Sequence, residues 1–173
     1  DDPLFDVPFW NEVMEDGSET WAKLRARLTA ILEEGSRDEA AAKNMLVARA
    51  DVELHLPFLI AEYTDFYAGR QHAQNMGAIL RGSPSLPANW LHIPIGYNGR
   101  ASSVVVSGTD IHRPNGQTKA PVTKRHSFGP SKRLDIELEM GAIVGRSTEL
   151  GQPITVDEAD GMIFGYVLLN DWS

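Results

Sequence analysis

The chain has 173 residues, 42% of them apolar and 23% charged, a balance that can build a folded core and excludes a chain disordered by composition. Zero cysteines exclude a disulfide scaffold, a thiol nucleophile and a zinc finger, and the longest uncharged apolar run, Met162 to Leu169, is far too short to span a bilayer. Sixteen Lys and Arg against 24 Asp and Glu leave a formal net charge of −8, which argues against nucleic-acid and membrane partners.

No basic–apolar leader pattern is visible, so a cytoplasmic protein is expected. The chain opens Asp1-Asp2-Pro3 without an initiating Met and closes on an apolar run, Gly161 to Ser173, with a polar tip. Natural termini are usually polar and frayed, so the sequence is expected to be a piece of a longer protein.

In chain order, the first fifty residues predict helices. Trp21, Leu24, Leu28, Ile31 and Leu32 form one apolar stripe, with Ser18 or Thr20 as cap and Gly35 as stop. Ser36-Arg37-Asp38-Glu39 has the pattern of a capping box, opening a second helix that continues through Ala48. The period then changes. Val52, Leu54 and Leu56 alternate with Glu53 and His55 as in a strand that Pro57 ends. A short helix spans Arg70 to Leu80, with Ala73, Met76 and Leu80 on one face and Gly82 as its stop. Between Ser83 and Gly129 many Pro and Gly residues mark loops, interrupted by a buried strand over Ser102–Ser107; ordered loops this long are more often functional than decorative. Leu134–Val144 is the clearest strand. Gly151-Gln152-Pro153 is a turn, Thr155 with Glu158 a second capping box, and the final apolar strand follows.

Along the Leu134–Val144 strand, Asp135, Glu137 and Glu139 alternate with apolar residues, so the period of two puts three carboxylates on one face. A solvated outer face normally mixes signs, but no Lys or Arg lies between Arg133 and Arg146. Two carboxylates about 5 Å apart repel by roughly 3 kcal/mol at an effective dielectric of about 20. A hard divalent cation would relieve this, since Glu-x-Glu lets two same-face carboxylates converge on one ion. The segment alone leaves a metal site and a solvated sheet face both open. Asp171, at the tip of the last apolar strand, and Asp65, flanked by aromatics in Tyr63-Thr64-Asp65-Phe66-Tyr67, favour the metal. An all-oxygen donor set with no His pair at zinc spacing fits magnesium or calcium.

Of five histidines, His55, His92, His112 and His126 fit surface positions. His72, in the first turn of the short helix, is a candidate general base on water. No Gly-x-Ser-x-Gly elbow supports Ser-His-Asp catalysis.

At these residues the chain resembles the fumarylacetoacetase (fumarylacetoacetate hydrolase) family. The likeness lies in Tyr63-Thr64-Asp65-Phe66-Tyr67 with Arg70-Gln71-His72-Ala73, in Asn89-Trp90-Leu91-His92-Ile93-Pro94-Ile95-Gly96-Tyr97 running on from Gly99 to Thr109, in Leu134 to Met140, and in Asn170-Asp171-Trp172-Ser173. It covers Val52 to Ser173 almost without interruption, and the first fifty residues more loosely.

The resemblance implies an α+β fold, mainly β: a helical segment, residues 1–50, at the end of an N-terminal region, then residues 51–173 as the first part of a β-rich catalytic domain cut after Ser173. It implies hydrolysis of the carbon–carbon bond of 4-fumarylacetoacetate, a dicarboxylic diketo acid, to fumarate and acetoacetate at the end of tyrosine breakdown. It places Asp65, Glu137, Glu139 and Asp171 as ligands of Mg2+ or Ca2+, His72 as catalytic base, and Tyr67, Arg81 and Tyr97 as substrate contacts. The cation would chelate the 1,3-diketone, and the full chain would be a homodimer. The acid that orients the family's histidine lies beyond the Asp-Trp-Ser motif and is absent from these 173 residues. Two alternatives remain: a decarboxylase or hydratase of a 2-oxo acid within the superfamily, and a noncatalytic metal-binding fragment.

Overall fold

The computed structural model describes residues 3–173; Asp1 and Asp2, the first residues of the expected helical segment, lie outside them. In chain order come α1 (Asn11–Glu15), α2 (Ser18–Leu32), α3 (Glu39–Met45), β1 (Thr64–Phe66), α4 (Arg70–Arg81), β2 (Gly96–Asn98), β3 (Asn115–Thr118), β4 (Ser127–Pro130), β5 (Ile136–Val144), α5 (Val156–Asp160) and β6 (Ile163–Trp172). Among the described residues the strands pair as three antiparallel hairpin-like sheets, β1 with β2, β3 with β4 and β5 with β6. The fold is α+β. A mainly β character is not clearly supported, since among the described residues helix, at 31%, exceeds strand, at 19%.

The deficit of strand has a definite origin. Val52–Leu56 and the stretch after Ser103 in Ser102–Ser107 are irregular chain, and Ala101–Ser103 is a 3₁₀ turn. Alternating or β-branched residues make a strand only when a neighbour supplies the ladder, and neither stretch pairs among the described residues. The second expected helix likewise stops at Met45 rather than Ala48. Its capping box is not reciprocal: Ser36 Oγ donates to the Ala30 carbonyl and accepts from Asp38 N–H, while Glu39 accepts from Gly35 N–H at 3.0 Å.

The chain divides into two compact units, one of residues 59–106 and one of the segments on either side. In the latter, Val13 and Met14 of α1 are buried and Trp21 of α2 packs over them, its indole N–H donating to the Val13 carbonyl at 2.9 Å. The Trp21 ring meets Phe164 of β6 edge-on, with centroids 5.2 Å apart. Gly145, just past β5, lets the two come close: a Cβ there would lie 2.6 Å from the Trp21 ring. The β5–β6 hairpin is thereby anchored on the N-terminal helices.

In the unit of residues 59–106, α4 buries Ala73 and Gly77 and ends at Gly82, at φ 70°, as the sequence predicts. None of the described helices is long and apolar enough to cross a membrane.

Candidate functional site

Five of the eight expected site residues belong to residues 59–106. Asp65 is the central residue of β1, and its antiparallel partner on β2 is Tyr97. In such a pair the side chains rise from the same face; the Tyr97 hydroxyl donates to Asp65 Oδ2 at 2.6 Å. A carboxylate that accepts a short hydrogen bond is held in one rotamer, and its second oxygen is presented in a set direction. Asp65 is half-buried and Tyr97 is exposed.

Tyr67 follows β1 directly. Its amide donates to the Ile95 carbonyl at 2.8 Å, its carbonyl accepts the Trp90 indole N–H at 2.7 Å, and its hydroxyl reaches the Ala73 carbonyl at 3.4 Å. The half-buried His72, on the first turn of α4, stands edge-on to the Tyr67 ring with centroids 5.4 Å apart. Tyr67 and His72 are thus brought together. Arg81, at the far end of α4, is exposed and donates to the Ser85 carbonyl at 2.9 Å, a bond within its own chain segment. Beside Tyr67 opens a groove of about 520 Å³ lined by Phe66, Trp90, Ile93 and Ile95. The other four histidines are exposed.

The remaining three acids lie on the β5–β6 hairpin. Glu137 faces Asp171 directly in the register, and Glu139 is two residues on along the same face. Carboxylate oxygens of Glu139 and Asp171 come within 4.8 Å of each other. All three side chains are half-buried, whereas Leu138, Met140 and Leu168 on the opposite face are 70–80% exposed. The acid face is therefore not the solvated side of the hairpin. Asp135, expected to share it, lies outside β5: its backbone exchanges hydrogen bonds with Ser173, and its carboxylate accepts from the Ile136 amide.

Ionised carboxylates this close cost about 3 kcal/mol of repulsion at an effective dielectric of about 20. An oxygen-only donor set of this kind suits a hard cation such as Mg2+ or Ca2+ and no soft metal. The acidic group can bind a metal. Sequence reasoning missed Trp90 as a partner of the site; its one signal was a large aromatic with a polar N–H set in a Pro-rich loop.

The chain is also similar to known proteins over nearly its whole length. The family profile described as "Fumarylacetoacetate (FAA) hydrolase C-terminal" matches residues 62–173, and "Fumarylacetoacetase N-terminal" matches residues 1–57. The chain is 48% identical to a fumarylacetoacetase of Oryza sativa subsp. japonica over 99% of its length, 50% identical to one of Caenorhabditis elegans over 88%, and 45% identical to one of Homo sapiens over 98%. These alignments cover 41%, 38% and 42% of the relatives, so the chain spans about two fifths of the length of the curated proteins it matches.

Proposed function

The chain belongs to the fumarylacetoacetate hydrolase family, and from that premise we propose that it carries the cation-binding and proton-transfer part of an enzyme that hydrolyses 4-fumarylacetoacetate to fumarate and acetoacetate. Residues 1–50 end an N-terminal region and residues 51–173 begin the catalytic domain. The observation that carries the reading is the acid face of the β5–β6 hairpin, where Glu137 opposes Asp171 and a Glu139 oxygen lies within 4.8 Å of one from Asp171.

As the family resemblance implies, Asp65 would join these three acids in holding one Mg2+ or Ca2+. When bound, the ion would supply Lewis acidity to the oxygens of the substrate's 1,3-diketone. His72 takes a proton from water, whose oxygen forms the new bond to the carbonyl carbon beside the fumaryl group. As the carbon–carbon bond breaks, its electron pair leaves with the acetoacetate half, and the proton collected by His72 can be returned to that carbon. Tyr67 keeps the imidazole from rotating away, and Arg81 pairs with a substrate carboxylate through its planar fork. From β2, Tyr97 holds Asp65 and contacts the substrate. The full chain works as a homodimer.

The test is turnover by the full chain that contains these residues. With Mg2+ present it is expected to consume fumarylacetoacetate, releasing fumarate and acetoacetate in equal amounts. His72→Ala should lower kcat by about 10²- to 10⁴-fold, the span of a positioned general base. Preference for oxaloacetate over fumarylacetoacetate would assign a decarboxylase instead.

A further inference from the structure

His72 sits on the first turn of a helix whose start has no side-chain cap, since Gly69 occupies the cap position. Its placement therefore depends on the chain that leads into α4. That chain is held at Tyr67, by the backbone bond to Ile95 and by the indole N–H of Trp90 on the Tyr67 carbonyl. The two constraints differ in kind. The Ile95 bond continues the strand pairing of β1 with β2, whereas the Trp90 bond reaches across 23 residues of sequence to fix the plane of the peptide that follows Tyr67. That plane sets ψ of Tyr67, and with it the direction in which the chain enters α4.

Trp90 is itself well anchored. Its amide donates to the Pro87 carbonyl at 3.0 Å, and the amides of His92 and Ile93 both donate to the Asn89 carbonyl. A half-buried indole with only two side-chain torsions is a stiff strut between that turn and Tyr67. The Tyr67 ring in turn meets the His72 ring, and its hydroxyl reaches the carbonyl of the fully buried Ala73.

We propose that Trp90 is a positioning residue for the reaction: through its N–H bond to the Tyr67 carbonyl it sets how the Tyr67 ring supports the His72 imidazole. The proposal rests on the reading of His72 as the base, and its test separates the two. The full chain, labelled with ring-13C histidine, is compared as wild type, as Trp90→Phe, and with Trp90 replaced by benzothienylalanine, which keeps the size of indole and lacks its N–H. A fourth sample carries 7-azatryptophan, which keeps the N–H.

Both samples without the N–H should show displaced His72 ring resonances and a kcat lowered about tenfold, with KM within about twofold of wild type. The 7-azatryptophan sample should restore both. Should Trp90→Phe fail to fold, the benzothienylalanine sample decides alone. Unmoved His72 resonances, or a loss confined to KM, would overturn the proposal. If the wild type turns over no fumarylacetoacetate, the reading of His72 as base of that reaction fails, and the ring resonances still decide whether Trp90 positions it.

Discussion

The short bond between Tyr97 and Asp65 links two residues 32 apart in sequence that the β1–β2 register sets side by side. Groups that orient a metal ligand are typically worth 10- to 100-fold in metal affinity. Tyr97→Phe is therefore expected to weaken Mg2+ binding by about tenfold, read by calorimetry on the full chain, beyond any change in KM. The residue types at the site were legible in the sequence: the unbalanced acids Glu137 and Glu139, an aspartate among aromatics at Asp65, and a histidine on a helix's first turn. Their partners were not. Glu137 against Asp171, Tyr97 on Asp65 and Trp90 on Tyr67 are all made across long separations. Periodicity within one segment carries no information about which segment will lie opposite.

Where a local pattern closes on itself, the element follows from sequence. Thr155 and Glu158 form a complete capping box at the start of α5: the Glu158 amide donates to Thr155 Oγ1 at 3.3 Å, and the Thr155 amide to Glu158 Oε2 at 2.8 Å. The Thr155 amide and, after it, the Thr155 hydroxyl hold the Glu158 carboxyl below its ordinary value of 4.5. A carboxyl with a depressed pKa in the fold contributes stability that is complete above its unfolded value and is lost as pH falls through the folded one. The contribution of Glu158 is thus constant at neutral pH and fades below about 4.5. Thr155→Ala should cost about 0.5–2 kcal/mol in denaturant unfolding at pH 7. Its difference from wild type should shrink as pH falls below that point. The Ser36–Glu39 pattern, with the same spacing, fails as a box because Ser36 turns to Ala30 and Glu39 to Gly35. The expected strands at 52–56 and 102–107 are irregular because no strand pairs with them among the described residues, a tertiary condition that composition cannot reveal.

Across the larger unit, the hairpin that carries Glu137, Glu139 and Asp171 is fixed by the packing of Phe164 against Trp21 above Val13 and Met14. Gly145→Ala places a methyl 2.6 Å from the Trp21 ring and 3.1 Å from Phe164 Cβ. Overpacking of this order costs about 1–3 kcal/mol, and an unfolding titration of the full chain should show a loss in that range. The acidity of the chain also takes on a particular meaning at this scale. Most of the 24 acids are surface charge, but four of them are proposed to face one cation that the formal −8 leaves out. Binding of such a cation would stabilise the folded chain by mass action, by about 2.7 kcal/mol at a hundred times its dissociation constant.

Calorimetric titration of Mg2+ into the full chain, as wild type and as Asp171→Asn, tests the carboxylate site most directly. One ion per chain should bind to the wild type, and about tenfold or more weaker to the variant. Absence of binding to the wild type, or equal affinity in the two proteins, would contradict the assignment of these acids to a metal.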